Sequence, residues 1–70
     1  MDLKTAIDVV YRDTRAENPD RAGSAREAVQ FNRGCLDHAE VDFSIDDPRL
    51  NEAYHVVLNA TDAEIAQALK

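Results

Sequence analysis

The chain has 70 residues, with 8 lysines and arginines, 14 aspartates and glutamates, and a formal net charge of −6. This length fits one small domain over residues 1–70, and the absence of a long apolar run excludes a membrane-spanning helix, which needs about 20 apolar residues. The single cysteine excludes an internal disulfide, and the N-terminal residues lack the basic and apolar regions of a secretory signal, so we expect a protein of a reducing cytoplasm.

The first predicted element is an amphipathic helix over residues 2–16. Its apolar side chains recur at the spacing i, i+3, i+4, i+7, i+8, which places them on one helical face. These side chains are Leu3, Ala6, Ile7, Val10 and Tyr11. Asp2 can cap the first turn, and Asp8 lies four residues before Arg12, as in a favourable ion pair on the exposed face. A loop is predicted at residues 17–24, where proline, glycine, asparagine and serine cluster.

The second predicted helix begins after Ser24 and extends to about residue 39. Ser24 and Glu27 have the spacing of a capping box, and a broad apolar face with Asn32 inside it follows. Gly34 costs about 1 kcal/mol relative to alanine inside a helix, and it could instead cap the C-terminus. We favour a continued helix, because the apolar residues on both sides of Gly34 share one phase.

Residues 41–45 alternate apolar and polar side chains, which is typical of a half-buried strand. The available pairing partner is the segment 53–58, whose valines and tyrosine also suit a strand, although its apolar spacing fits a helix better. Asp47 before Pro48 predicts the start of a helix, since aspartate is a good cap and proline is favoured at the first helical position. We therefore expect an extended connector near 41–46 that leads into a third helix.

A second capping box, formed by Thr61 and Glu64, predicts a short terminal helix. A helix below about 12 residues is marginal alone, so this one must pack on the others. The predicted fold class is all-α, a small bundle of three to four short helices. The alternative is an α+β fold with a two-stranded hairpin at 41–45 and 53–58.

The negative charge is concentrated in the second half of the chain. Residues 1–35 have six acidic and six basic side chains, whereas residues 36–70 have eight acidic side chains against Arg49 and Lys70. Nucleic-acid binding requires clustered positive charge, so direct contact with nucleic acid is not expected, and the complementary partner is a protein with a basic surface. The candidate contact residues are Asp37, Glu40, Asp42, Phe43, Asp46, Asp47 and Glu52. Tyr54 is a second aromatic candidate, although we expect it in the core.

The candidate metal ligands are Cys35, His38 and His55. Thiolate and imidazole are good zinc ligands, and Cys35 lies three residues before His38. Neither a C-x-x-C pair nor an H-E-x-x-H motif occurs, and Cys35 is in phase with the apolar face, where cysteine behaves as a small hydrophobe. We expect no cofactor, and a small metal-binding sensor or enzyme is the alternative function.

The expected function is that of a non-catalytic protein–protein interaction module. We expect an acidic small regulator or inhibitor that binds a basic surface of its partner, in the sharpest form a nucleic-acid mimic encoded by a phage or mobile element. Catalysis by Cys35 is not expected, because a position late in a helix and near Asp37 raises the pKa of a thiol. No membrane contact is expected, and the small size favours association with another subunit, including a homodimer.

Overall fold

The computed structural model describes residues 1–35 and 46–70, and these residues form four α-helices. The helices are α1 (Leu3–Glu17), α2 (Ala25–Cys35), α3 (Pro48–Asn59) and α4 (Asp62–Ala68). A short 3₁₀ helix, Pro19–Arg21, occupies the predicted loop between α1 and α2. The predicted all-α bundle is thereby confirmed.

The hairpin alternative is wrong, because residues 53–58 lie within α3 and none of the described residues forms a strand. The helical spacing of the apolar residues therefore outweighs the strand preference of the valines. The other half of that hairpin, 41–45, and most of the connector predicted near 41–46 lie outside the described residues. α2 passes through Gly34 without a positive φ, so Gly34 is not a left-handed cap. The predicted extension of α2 from residue 36 to residue 39 lies outside the described residues.

Aspartate caps start α1 and α3, as the sequence predicts. The Asp2 carboxylate accepts a hydrogen bond from the backbone N–H of Thr5 at 2.8 Å, and hydrogen bonds from the side chain and backbone of Thr5 lower the pKa of Asp2. At α3, Oδ1 of Asp47 accepts from the N–H groups of Arg49 at 3.0 Å and Leu50 at 3.3 Å. Local side-chain chemistry therefore fixes both helix starts.

Hydroxyl caps start α2 and α4. Oγ of Ser24 accepts a hydrogen bond from the Glu27 N–H at 3.2 Å. At α4 the capping box is complete: the Glu64 N–H donates to Oγ1 of Thr61 at 3.1 Å, and the Thr61 N–H donates to Oε1 of Glu64 at 2.9 Å. The hydrogen bonds from the backbone and side chain of Thr61 lower the pKa of Glu64. The predicted start of this seven-residue helix is therefore confirmed.

The core is centred on α1 and α3, which form the most extensive helix–helix contact in the described residues. Ala6, Val10, Ala53 and Val57 are fully buried in one cluster. Small alanine side chains allow two helix backbones to approach closely, and the valines fill the remaining space.

α2 and α4 cover this central pair with less contact. Val29 of α2 and Ile65 of α4 join the buried cluster. An ion pair of 2.6 Å between Nη1 of Arg33 and Oδ1 of Asp62 links the two helices at the surface. α4 is too short to be stable alone, so packing of Ile65 and this ion pair hold it in place.

Candidate functional site

Four of the seven predicted contact residues lie outside the described residues. These are Asp37, Glu40, Asp42 and Phe43. The other three, Asp46, Asp47 and Glu52, lie at the N-terminal end of α3, and all are exposed to solvent. We call these three residues the acidic surface. The three described members of the predicted contact set therefore lie on α3 and the two residues before it.

The three carboxylates of the acidic surface differ in their local contacts. Asp47 caps α3, so its Oδ1 accepts hydrogen bonds from uncharged backbone N–H groups and not from a cationic side chain. Glu52 forms a 2.8 Å ion pair with the N-terminal ammonium of Met1. This contact lowers the pKa of Glu52 and raises the pKa of the Met1 ammonium, in both cases chiefly through the hydrogen bond between them. Asp46 has no hydrogen-bond or ion-pair partner among the described residues.

Two further exposed carboxylates lie on α4 or at its start. Asp62 is neutralised in part by its ion pair with Arg33. Glu64 accepts from the N–H of Thr61, which is uncharged, so it retains its charge. Among the described acids of the second half, Asp46, Asp47 and Glu64 therefore have no cationic partner in residues 1–35 and 46–70.

The candidate metal ligands are only partly described. Cys35 is the last residue of α2, and His55 is exposed on α3, while His38 lies outside the described residues. Within residues 1–35 and 46–70, no three histidine, cysteine, aspartate or glutamate side chains are grouped as a metal site would require. The metal hypothesis stays a prediction, since one of its three ligands is not among the described residues.

Buried polar contacts between helices are the feature that the sequence did not predict. Nδ2 of Asn32 donates to Oγ1 of Thr14 and to the carbonyl of Ala28, each at 2.8 Å. Thr14 is 2% and Asn32 9% exposed. The sequence signal for this contact was Asn32 within the apolar face of α2, because a buried amide needs hydrogen-bond partners.

Tyr54 lies in the core, as expected, with 7% of its surface exposed. Its hydroxyl donates to Oδ2 of Asp13 at 2.8 Å, which ties α3 to α1. Burial raises the pKa of Tyr54 from 10.0 to about 12; the hydrogen bond to Asp13 acts in the same direction, and one with Thr14 acts against it. The folded chain therefore favours the neutral phenol.

We expect this raised pKa to make folding stability fall at alkaline pH. The contribution of Tyr54 is complete below pH 10.0 and is lost as the pH rises towards about 12, because only the unfolded phenol ionises readily in that window. The measurement is the difference in unfolding free energy between the wild type and Tyr54→Phe across this range. The difference should shrink above pH 10.0. A difference independent of pH would contradict the expectation.

No helix in the described part of the chain has the length and apolar character needed to cross a membrane. Each of these helices instead buries one side and has charged residues on the opposite side. Function must then be inferred from the charges and contacts of the chain itself: no protein-family model matches it, and neither does any curated protein or solved structure.

Proposed function

We propose that the protein is a non-catalytic interaction module, an acidic small regulator or inhibitor that binds a basic surface of another protein. The observation that supports this function is the uneven charge: residues 36–70 hold eight acidic side chains against Arg49 and Lys70. Every described acid of this half is exposed, including all three carboxylates of the acidic surface.

The physical basis is long-range attraction between charges of opposite sign. A cluster of exposed carboxylates raises the rate at which a basic partner is captured and disfavours acidic competitors. Helix caps contribute to this field, because Asp47 and Glu64 are bonded to uncharged N–H groups and have no cationic partner among the described residues. Within the acidic surface, Asp46 and Asp47 have no cationic partner among the described residues, while Glu52 is paired with the Met1 ammonium.

In its sharpest form, the proposal is that the carboxylates occupy the nucleic-acid groove of the target in place of phosphates. A phage or another mobile element would encode such an inhibitor against a host protein, in the reducing cytoplasm where the lone cysteine stays a thiol. The interaction would need no cofactor and no bond-making step. A homodimer would double the number of carboxylates offered to the target, and light scattering would detect it as twice the chain mass of 7.8 kDa.

The test compares two charge variants in affinity purification from cells of the source organism. The acidic variant is Asp46→Asn, Asp47→Asn and Glu52→Gln, in which asparagine preserves the helix cap. The control variant is Asp8→Asn, Glu17→Gln and Asp20→Asn, all exposed positions in the first half. Each variant removes three negative charges, so the two have the same net charge and differ only in where the charge is lost.

We expect the wild type and the control variant to capture the same partner, and the acidic variant to recover it at least about tenfold less. Capture should also weaken steeply between about 50 and 300 mM salt, because exposed charges are screened over a Debye length of roughly 10 Å or less. Equal loss with both variants would show that net charge, and not the acidic surface, governs capture, and would contradict the proposal. A complex that salt does not weaken would also contradict it and would indicate binding through an apolar face.

A further inference from the structure

A groove with a volume of about 440 Å³ runs between α2 and α4. Its lining includes Arg26, Val29, Arg33 and Gly34 from α2, Asp62 and Ile65 from α4, and Leu69 directly after α4. The spacing of these residues in the sequence places each set on one face of its helix. We call this surface the α2–α4 groove, and it contains none of the residues of the acidic surface.

The floor of the α2–α4 groove is apolar. Val29 is 1% and Ile65 6% exposed, and Leu69 beside them is half-buried. A volume of this size between two helices can accept one or two apolar side chains of a third element. An apolar side chain inserted here would extend the existing core, since Val29 and Ile65 already belong to it.

The rim of the groove has one excess positive charge, from Arg26 and Arg33 against Asp62, in a protein whose net charge is −6. Arg26 is exposed and has no ion-pair partner among the described residues. Arg33 gives one nitrogen to Asp62 and keeps further N–H donors, since a guanidinium has five. The complement of this rim is therefore a carboxylate.

Gly34 leaves one side of the groove open. It is exposed on α2, and no described residue would come within 4 Å of a Cβ atom placed on it. Glycine is less favourable than alanine inside a helix, and no packing among the described residues requires it here. A missing side chain allows the backbone of a bound element to approach closely.

We propose that the α2–α4 groove binds a helical segment of a partner protein, with an apolar side chain on the floor and a carboxylate against Arg26. A groove between two helices accepts a third helix through side chains spaced three and four residues apart. The proposal does not rest on the function proposed above, because the acidic surface and the groove share no residue. A module with both surfaces would recognise a basic surface at one site and an acidic helix at the other.

The test uses two synthetic peptides of about 16 residues, long enough to form a helix. One repeats Leu-Glu-Glu-Leu, and the other has lysine in place of every glutamate. Each is titrated into the ¹⁵N-labelled full chain at about 150 mM salt. We expect the glutamate peptide to shift the amide resonances of Val29, Gly34 and Ile65 and to bind at least about tenfold more tightly there than the lysine peptide. Net charge alone would give the opposite order.

Matched variants locate the effect in the groove. Arg26→Gln should weaken binding of the glutamate peptide about tenfold, while Arg15→Gln, which removes the same charge from an exposed position on α1, should change it less than about twofold. Gly34→Ala should also weaken binding about tenfold and at the same time raise the thermal midpoint of the free chain, because alanine is the better helix former. Opposite changes in binding and stability cannot come from unfolding.

Several results would overturn the proposal. One is the absence of groove shifts with the glutamate peptide at about 1 mM, and another is stronger groove binding by the lysine peptide. Equal effects of Arg26→Gln and Arg15→Gln would also do so. Groove shifts in a dilution series without peptide would assign the groove to a second copy of the chain. The Asp46→Asn, Asp47→Asn, Glu52→Gln variant should bind the glutamate peptide as the wild type does, and a loss there would place the binding outside the groove.

Discussion

Tyr54→Ala is expected to lower the free energy of unfolding by about 3–5 kcal/mol, as is usual when a buried aromatic residue is truncated. Tyr54 is 7% exposed and lies in the same cluster as Val10 and Val57, so its removal leaves a cavity between α1 and α3. A domain of this length has roughly 4–10 kcal/mol of folding free energy, so about a third or more of it would be lost. Urea unfolding followed by far-ultraviolet circular dichroism measures the change.

Tyr54→Phe is the control that separates the ring from the hydroxyl. Phenylalanine fills the same space but cannot donate to Asp13, which is half-buried and can turn to water. The expected cost is about 1 kcal/mol, close to the net contribution of one hydrogen bond. If the alanine and phenylalanine variants lost similar free energy, the hydroxyl and not the packing of the ring would stabilise the α1–α3 interface, contrary to this expectation.

The second large effect is expected at the buried contact between Asn32 and Thr14. Asn32→Leu removes the amide and leaves the Thr14 hydroxyl, which is 2% exposed, with fewer partners. The loss of a hydrogen-bond partner by a buried polar group costs about 1–3 kcal/mol. Thr14→Val leaves the Asn32 amide with the Ala28 carbonyl alone and should also destabilise the fold. Both single variants should therefore unfold at lower urea concentration than the wild type.

The double variant Thr14→Val, Asn32→Leu is expected to be more stable than the sum of the single losses predicts, by about 1–2 kcal/mol. Replacing both partners removes the unsatisfied group, and contacting residues are not additive. Thr14→Ser, which keeps the hydroxyl, provides the control and should cost less than Thr14→Val. Strict additivity of the two single variants would show that the 2.8 Å contact does not couple α1 and α2.

The sequence by itself determined the helices, because the signals that start them act over a few residues. Asp2, Asp47 and Thr61 each bond to N–H groups two or three positions ahead, and each predicted start is found within a residue or two. The apolar spacing over 53–58 likewise predicted a helix against the strand preference of its valines. The amount and sign of charge in each half also follow from the sequence alone, and the proposal of a basic partner is based on them.

Only the tertiary structure decided which polar side chains meet. Thr14 and Asn32 are separated by 18 positions, Arg33 and Asp62 by 29, and Asp13 and Tyr54 by 41. Such pairs depend on how the helices cross and how far each is rotated about its axis, which periodicity within one helix does not specify. The α2–α4 groove has the same origin: each helix alone shows an ordinary amphipathic face, and the space between them exists only because α4 packs lightly against the bundle.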